Sequence, residues 1–169
     1  MKTLGVVLNN RLDWSSHVHH VKTVTSRRFH VLRRLKTMTS QPQLHLVYTA
    51  IIRSVLEYAS QSFVGLNKRL SKTLNKIDNR AHRLIYNLRY DQKYSPACNC
   101  LKDNIEKRRT RASLSLLQDI QKNKLHILHT RLPPFSRNRF RLPYCRTTKR
   151  MNTFFPRSAT LFNTVQQTR

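Results

Sequence analysis

The sequence predicts a mainly α-helical fold: a short N-terminal β-hairpin, then a helical bundle, then a basic, partly extended C-terminal arm. Three observations carry this. Apolar residues recur at steps of three and four through most of the first 130 positions, which is the period of a helix with one buried face. A single short β-like run, Leu4-Gly5-Val6-Val7-Leu8, stands in front of them. From Leu132 onward prolines break up a stretch rich in Arg, Thr and Asn, with no acidic residue after Asp119.

In chain order, Leu4 to Leu8 reads as a strand, Asn9-Asn10 as a turn and Asp13 as a helix cap. Trp14, Val18, Val21, Phe29, Leu32, Leu35 and Met38 then mark one face of a helix over about 15–38. Ser40 before Gln41-Pro42 is a start signal, because proline in a first helical turn gives up no needed hydrogen bond. Leu44, Val47, Ile51, Val55 and Tyr58 continue that second helix to about Ser60. Gly65, in Ser62-Phe63-Val64-Gly65-Leu66, is the natural left-handed residue for the break that follows. Leu70, Leu74, Ile77, Ala81, Leu84 and Leu88 form the cleanest seam in the chain, and the third helix carries it. A connector precedes a fourth helical region over about 101–129, with Ile105, Ala112, Leu116, Ile120 and Leu125 as its apolar positions. Residues 132–150 read as an extended basic arm and 158–165 as a short terminal helix.

The chain has 169 residues, enough for one domain with a real core, or one with a loosely held tail. Thirty-three Lys and Arg face seven Asp and Glu, a formal charge of +26 that so few carboxylates cannot neutralise. Such a chain attracts polyanions. Nucleic acid leads over a membrane face or an acidic protein, because the cations are spread over several segments and not confined to one amphipathic helix. No apolar run approaches the ~20 residues of a membrane helix, so an intracellular protein with no membrane partner is expected. Cys98, Cys100 and Cys145 are odd in number, and the first two are too close for an ordinary bridge, which suits reduced thiols.

Catalytic chemistry has little to stand on. Two-metal phosphoryl transfer needs carboxylates converging on ions about 4 Å apart, and here only Asp103 and Glu106 are near each other in sequence. Those two precede Lys107-Arg108-Arg109 at a helix start, where complementing the helix dipole explains them. Asp78, between Lys76 and Arg80, and Glu57, four residues after Arg53, read as ion-paired. His17, His19 and His20 with Cys98 and Cys100 lack the paired spacing of a zinc site, and His17 reads as a first-turn residue packing near Trp14. Two glycines build no phosphate-cradling loop. No cofactor and no small-molecule substrate are expected.

What remains is binding. Arg27, Arg28, Arg33 and Arg34 lie on the first helix, and Lys68, Lys72, Lys76, Arg80 and Arg83 avoid the seam of the third. Arg108 and Arg109 open the fourth, and Arg139, Arg141, Arg146 and Arg150 lie in the arm. Cations of this kind neutralise phosphates without reading sequence. Tyr86, Tyr90, Tyr94, Phe135, Phe140, Tyr144, Phe154 and Phe155 are interleaved with them, and the exposed half of such a set would stack on bases.

The order of these pieces resembles the C-terminal part of the reverse transcriptase of non-LTR (LINE-type) retrotransposons. The resemblance rests on Leu4-Gly5-Val6 with Leu12, Trp14 and His17, then Arg33-Arg34-Leu35, then Leu56-Glu57-Tyr58 with Ser60. Asn79-Arg80-Ala81 with Arg83, Leu84 and Ile85 follows, then Arg108-Arg109, Arg146-Thr147, and Phe154-Phe155-Pro156-Arg157 with Phe162-Asn163. Gln61 and Phe63 stand where the family has Pro and Trp, and Phe162 where it has Trp. The resemblance implies the end of a palm over 1–13, a helical thumb over 14–90, a connector and basic helix over 91–131, and a basic C-terminal arm over 132–169. It implies RNA and DNA, as a template-primer duplex, for a partner. The family's Tyr-x-Asp-Asp motif, which holds the catalytic Mg ions, precedes the Leu-Gly-Val strand and does not occur in this sequence. The resemblance therefore implies no polymerase activity for this chain alone. A different reading of the same charge is a small basic interaction protein that engages an acidic protein partner.

Overall fold

The computed structural model describes residues 1–11, 13–88 and 104–167. Leu12, Tyr90, Tyr94, Cys98, Cys100 and Asp103, named above, lie outside the described residues, as do positions 101–103 of the expected fourth helical region. The fold is mainly helical behind a two-stranded hairpin. It divides into two compact units, the first Met1–Tyr58 with Asn67–Glu106 and the second Ala59–Leu66 with Lys107–Arg169.

In the first unit β1 (Lys2–Thr3) pairs antiparallel with β2 (Val6–Val7), Lys2 opposite Val7 and Thr3 opposite Val6. The turn between them is Leu4-Gly5, with φ of 47° and 78°, the paired left-handed geometry that matches the twist of a two-residue hairpin. The expected strand over Leu4 to Leu8 is thus corrected, since its first two residues make the hairpin turn; the turn expected at Asn9-Asn10 is present one residue on, at Asn10-Arg11. Leucine in this conformation costs roughly 1–2 kcal/mol, and the Tyr58 hydroxyl helps hold it by donating to the Leu4 carbonyl at 2.9 Å. Asn9 instead braces Asp13, accepting from its N–H at 3.1 Å and donating to its carboxylate at 2.8 Å. Asp13 in turn accepts from the Ser15 N–H at 3.0 Å and from the Ser15 hydroxyl. These hydrogen bonds, led by that of the Ser15 hydroxyl, hold its carboxyl below the usual 3.8.

Trp14, not the expected Asp13, is the N-cap residue of α1 (Ser15–Leu35), with Asp13 one position before it holding the first N–H; the helix buries Val18, Val21, Phe29 and Leu32. His17 is buried near Trp14, ring centroids 6.2 Å apart, and its Nδ1 accepts from the Val7 N–H at 3.4 Å, tying hairpin to helix. The second helix is one element in three pieces: α2 (Gln41–Tyr48), a π-helical turn (Thr49–Arg53) and α3 (Ser54–Glu57). Ser40 and Gln43 close its start as a capping box. Ala59, at φ 50°, makes the left-handed break that ends it. Gly65 is therefore corrected, since it has no positive φ; its role is taken up below. Asn67 caps α4 (Lys68–Tyr86) by accepting from the Leu70 N–H at 2.8 Å, and Asn87, at φ 55°, closes it. Helix α4 packs on α1 and α2, and α1 on α2 and α3. The shared core holds Leu44, Tyr48, Ile52, Leu56, Leu74, Ile77, Ala81 and Ile85, of which the leucines and isoleucines contribute about 1.5–3 kcal/mol each when buried.

Helix α5 (Ile105–Lys122) leads into the second unit. It ends seven residues before His129, and Leu125 is 95 % exposed, so the expected fourth helix is too long by two turns. Asn123 stops it, its side chain accepting from the Leu125 N–H at 3.0 Å to form a turn. After a 3-10 turn (His129–Arg131), β3 (Phe135–Ser136) and β4 (Arg139–Phe140) form a hairpin through Arg137-Asn138, both at positive φ. The expected extended arm is thus folded back and anchored. Phe140 is buried with Leu117, Ala159 and Phe162. Asn163, on α7 (Phe154–Gln167), donates to the Phe140 carbonyl at 2.8 Å and accepts from its N–H at 3.0 Å, pairing with β4 as a neighbouring strand would. One helical turn, α6 (Thr148–Met151), is capped by Thr147. A Cβ on Gly65 would lie 2.2 Å from the Asn152 carbonyl oxygen, so glycine is required there by the closeness of two backbones.

Candidate nucleic-acid interface

Helix α4 is apolar on one side and cationic on the other because its seam and its charges are both spaced by helical turns. Lys68, Lys72 and Lys76 stand at four-residue steps, and with Arg69 and Thr73 they line an open groove of about 480 Å³. From Lys68 to Lys76 the axis rises about 12 Å, a length over which a nucleic-acid duplex presents about seven phosphates. No carboxylate lies on this wall: Asp78, the helix's single acid, is buried.

Arg80 continues the row, with its guanidinium 4.9 Å from the centroid of the Phe29 ring. That contact sets the middle of α4 beside the C-terminal half of α1, which carries Arg27, Arg33 and Arg34, all exposed. These cations therefore belong to adjoining helices of one packed unit. Arg28 is half-buried and donates to the Ile51 carbonyl inside the π turn, a structural use. Arg83 is likewise half-buried.

In the second unit Arg108 and Arg109 are 8 % and 5 % exposed. They face the interior of the protein and not solvent, because they sit on the buried stripe of α5 that also carries Leu117 and Ile120. Arg139, Arg141, Arg146 and Arg150 are exposed. Two cations that sequence reasoning passed over join the surfaces. Arg69 stands beside the seam residue Leu70, and Arg131 in the 3-10 turn before the proline pair; both are exposed. Of the aromatic residues, Phe140 and Phe162 are core, Phe154 and Phe155 are half-buried, and Tyr144 is 86 % exposed. Burial raises the Tyr86 hydroxyl above its usual 10.0.

The polar residues that might suggest catalysis are used in packing. Asp78 accepts from the Tyr48 hydroxyl, and His82 Nδ1 donates to the Asp78 backbone carbonyl at 2.9 Å, with the Tyr48 and His82 rings 4.9 Å apart edge to face. Asp78 is buried, and the His82 Nδ1 also lies 4.0 Å from its carboxylate. Glu57 does pair with Arg53, at 3.0 Å. Glu106 is exposed in the first turn of α5, as its dipole role requires. Among the described residues no group of three or more His, Cys, Asp or Glu is arranged to hold a metal ion, and no helix is long and apolar enough to cross a membrane.

Comparison with known proteins returned no significant match: no family model, no curated protein and no solved structure is similar to the chain.

Proposed function

We propose that the chain binds nucleic-acid backbone, as the thumb and C-terminal extension of a non-LTR retrotransposon reverse transcriptase, without a polymerase site of its own. The observation that supports it most is the row Lys68, Lys72, Lys76 and Arg80, set along one side of α4 while Leu74, Ile77 and Ala81 anchor the other. The helix fixes the spacing of their Cα atoms, so the backbone that carries these cations needs no ordering on binding. Arg27, Arg33 and Arg34 add exposed cations on α1, which packs against α4. The partner is a template-primer duplex of RNA and DNA, met by charge and not by base sequence.

Filter binding to an RNA-DNA hybrid tests the reading, together with primer extension in Mg. Hybrid binding that weakens steeply with salt, and no extension product, are the expected results. Any Mg-dependent product would overturn the non-catalytic part. A pull-down partner that survives nuclease treatment, with no hybrid binding, would favour an acidic protein partner instead.

A further inference from the structure

The second unit contains a groove of about 600 Å³, a feature distinct from the α4 row that chiefly supports the duplex reading. Arg131, Arg141 and Arg150 line it, together with prolines, the half-buried Phe155 ring and the outward Tyr144 ring. Among the described residues none of the three arginines is paired with a carboxylate, and no acidic residue follows Asp119 in the sequence. The frame is fixed before any ligand arrives: the Arg141 N–H donates to the Pro134 carbonyl at 2.8 Å, and Asn163 holds the strand just before it.

We infer that this groove is a site for single-stranded nucleic acid. Tyr144 supplies a stacking face for a base, and Arg131, Arg141 and Arg150 take the flanking phosphates. A volume of this size falls in the range that encloses a small ligand, roughly one or two nucleotides and far less than a duplex. Arginine suits the task because its planar fork grips a phosphate through two hydrogen bonds. The aromatic ring suits it because every base has a face to stack, so the site tolerates any sequence. An acidic peptide would satisfy the arginines but would leave Tyr144 without a planar partner. The inference goes beyond the duplex reading and uses residues of the other unit, so either can fail alone.

Fluorescence anisotropy of the full chain tests it with labelled oligothymidylate, the same strand without bases, an RNA-DNA hybrid and polyglutamate. Tyr144→Ala should weaken oligothymidylate binding about tenfold, Tyr144→Phe should keep it, and hybrid binding should be unchanged in both. The abasic strand should bind wild type about as weakly as Tyr144→Ala binds oligothymidylate. Arg141→Ala with Arg150→Ala should weaken both single strands. Tyr144 is exposed, so its variants keep the fold, which circular dichroism checks. Oligothymidylate affinity indifferent to Tyr144→Ala would overturn the site. So would equal losses for hybrid and single strand, or polyglutamate binding with the same dependence on Tyr144. Loss of hybrid binding alone, from α4 substitutions, would support two separate surfaces and leave the groove standing.

Discussion

The two units present positive charge in different forms. On α4 it is mostly lysine, repeated every four residues along an open groove whose lining residues include no aromatic ring. In the second unit it is arginine, gathered around a recess with proline walls and aromatic rings. Lysine is a strongly hydrated point charge on a flexible stem, suited to an extended array of phosphates, whereas arginine's planar fork rewards fixed geometry. Net charge alone predicts attraction to polyanions, but the shape around the charge decides which polyanion. The chain's +26 therefore takes a different local form in each unit.

Substitutions can break or sharpen this contrast. The largest effect is expected from Gly65→Ala, whose new methyl overlaps the Asn152 backbone and should cost about 3 kcal/mol of stability, read in urea denaturation. A midpoint equal to wild type would show that the two backbones are not in contact. Asn163→Ala removes both hydrogen bonds to Phe140 and should cost about 2 kcal/mol. Asn163→Asp should fare little better, because a carboxylate cannot donate to the Phe140 carbonyl. Both should loosen the groove of the second unit more than the α4 wall.

Lys72→Ala with Lys76→Ala should lower the salt slope of hybrid binding by about 2 if each lysine meets one phosphate. Single-strand binding at the groove should hardly change, and an equal loss of both would merge the two surfaces into one. Leu4→Asn places asparagine in the left-handed turn position before Gly5, where it is favoured; with Leu4 86 % exposed, the change should stabilise by about 1 kcal/mol.

The smallest effect concerns His17. Burial, aided by the nearby His20 charge, lowers its pKa below 6.5, and its Nδ1 must stay unprotonated to accept from Val7. The unfolded chain then takes up the proton first. This contribution to stability is complete above about pH 6.5 and is lost as pH falls through the folded-state value. His17→Gln should flatten that part of a pH series, and an unchanged slope would assign the titration elsewhere.

Much of the fold was legible because one period ruled it. The middle of the α4 seam, Leu74, Ile77 and Ala81, is buried as its spacing required, while Leu70 and Leu84 are half-buried and Leu88 lies past the helix end; α1 starts two residues after Asp13. What misled the reading were residues acting against their type. Leu4 and Ala59 take left-handed conformations that glycine or asparagine usually supply, while Gly65 serves close approach instead. Periodicity also carried the fourth helix past Asn123, because Leu125 continued the pattern that a local side-chain turn interrupts. The basic surface was legible in outline: charge on the polar face of α4 stayed off the core, whereas Arg108 and Arg109 fell on the buried stripe of α5. The groove was not legible, since it joins Arg131, Arg141 and Arg150 through a hairpin that the proline-rich sequence had suggested was an open arm.

The most direct test of the central claim is the affinity of the full chain for an RNA-DNA hybrid across a salt series. With Lys68, Lys72, Lys76 and Arg80 each neutralising a phosphate, the slope of log affinity against log salt should be about −4 or steeper. A flat line, or no binding at low salt, would contradict it.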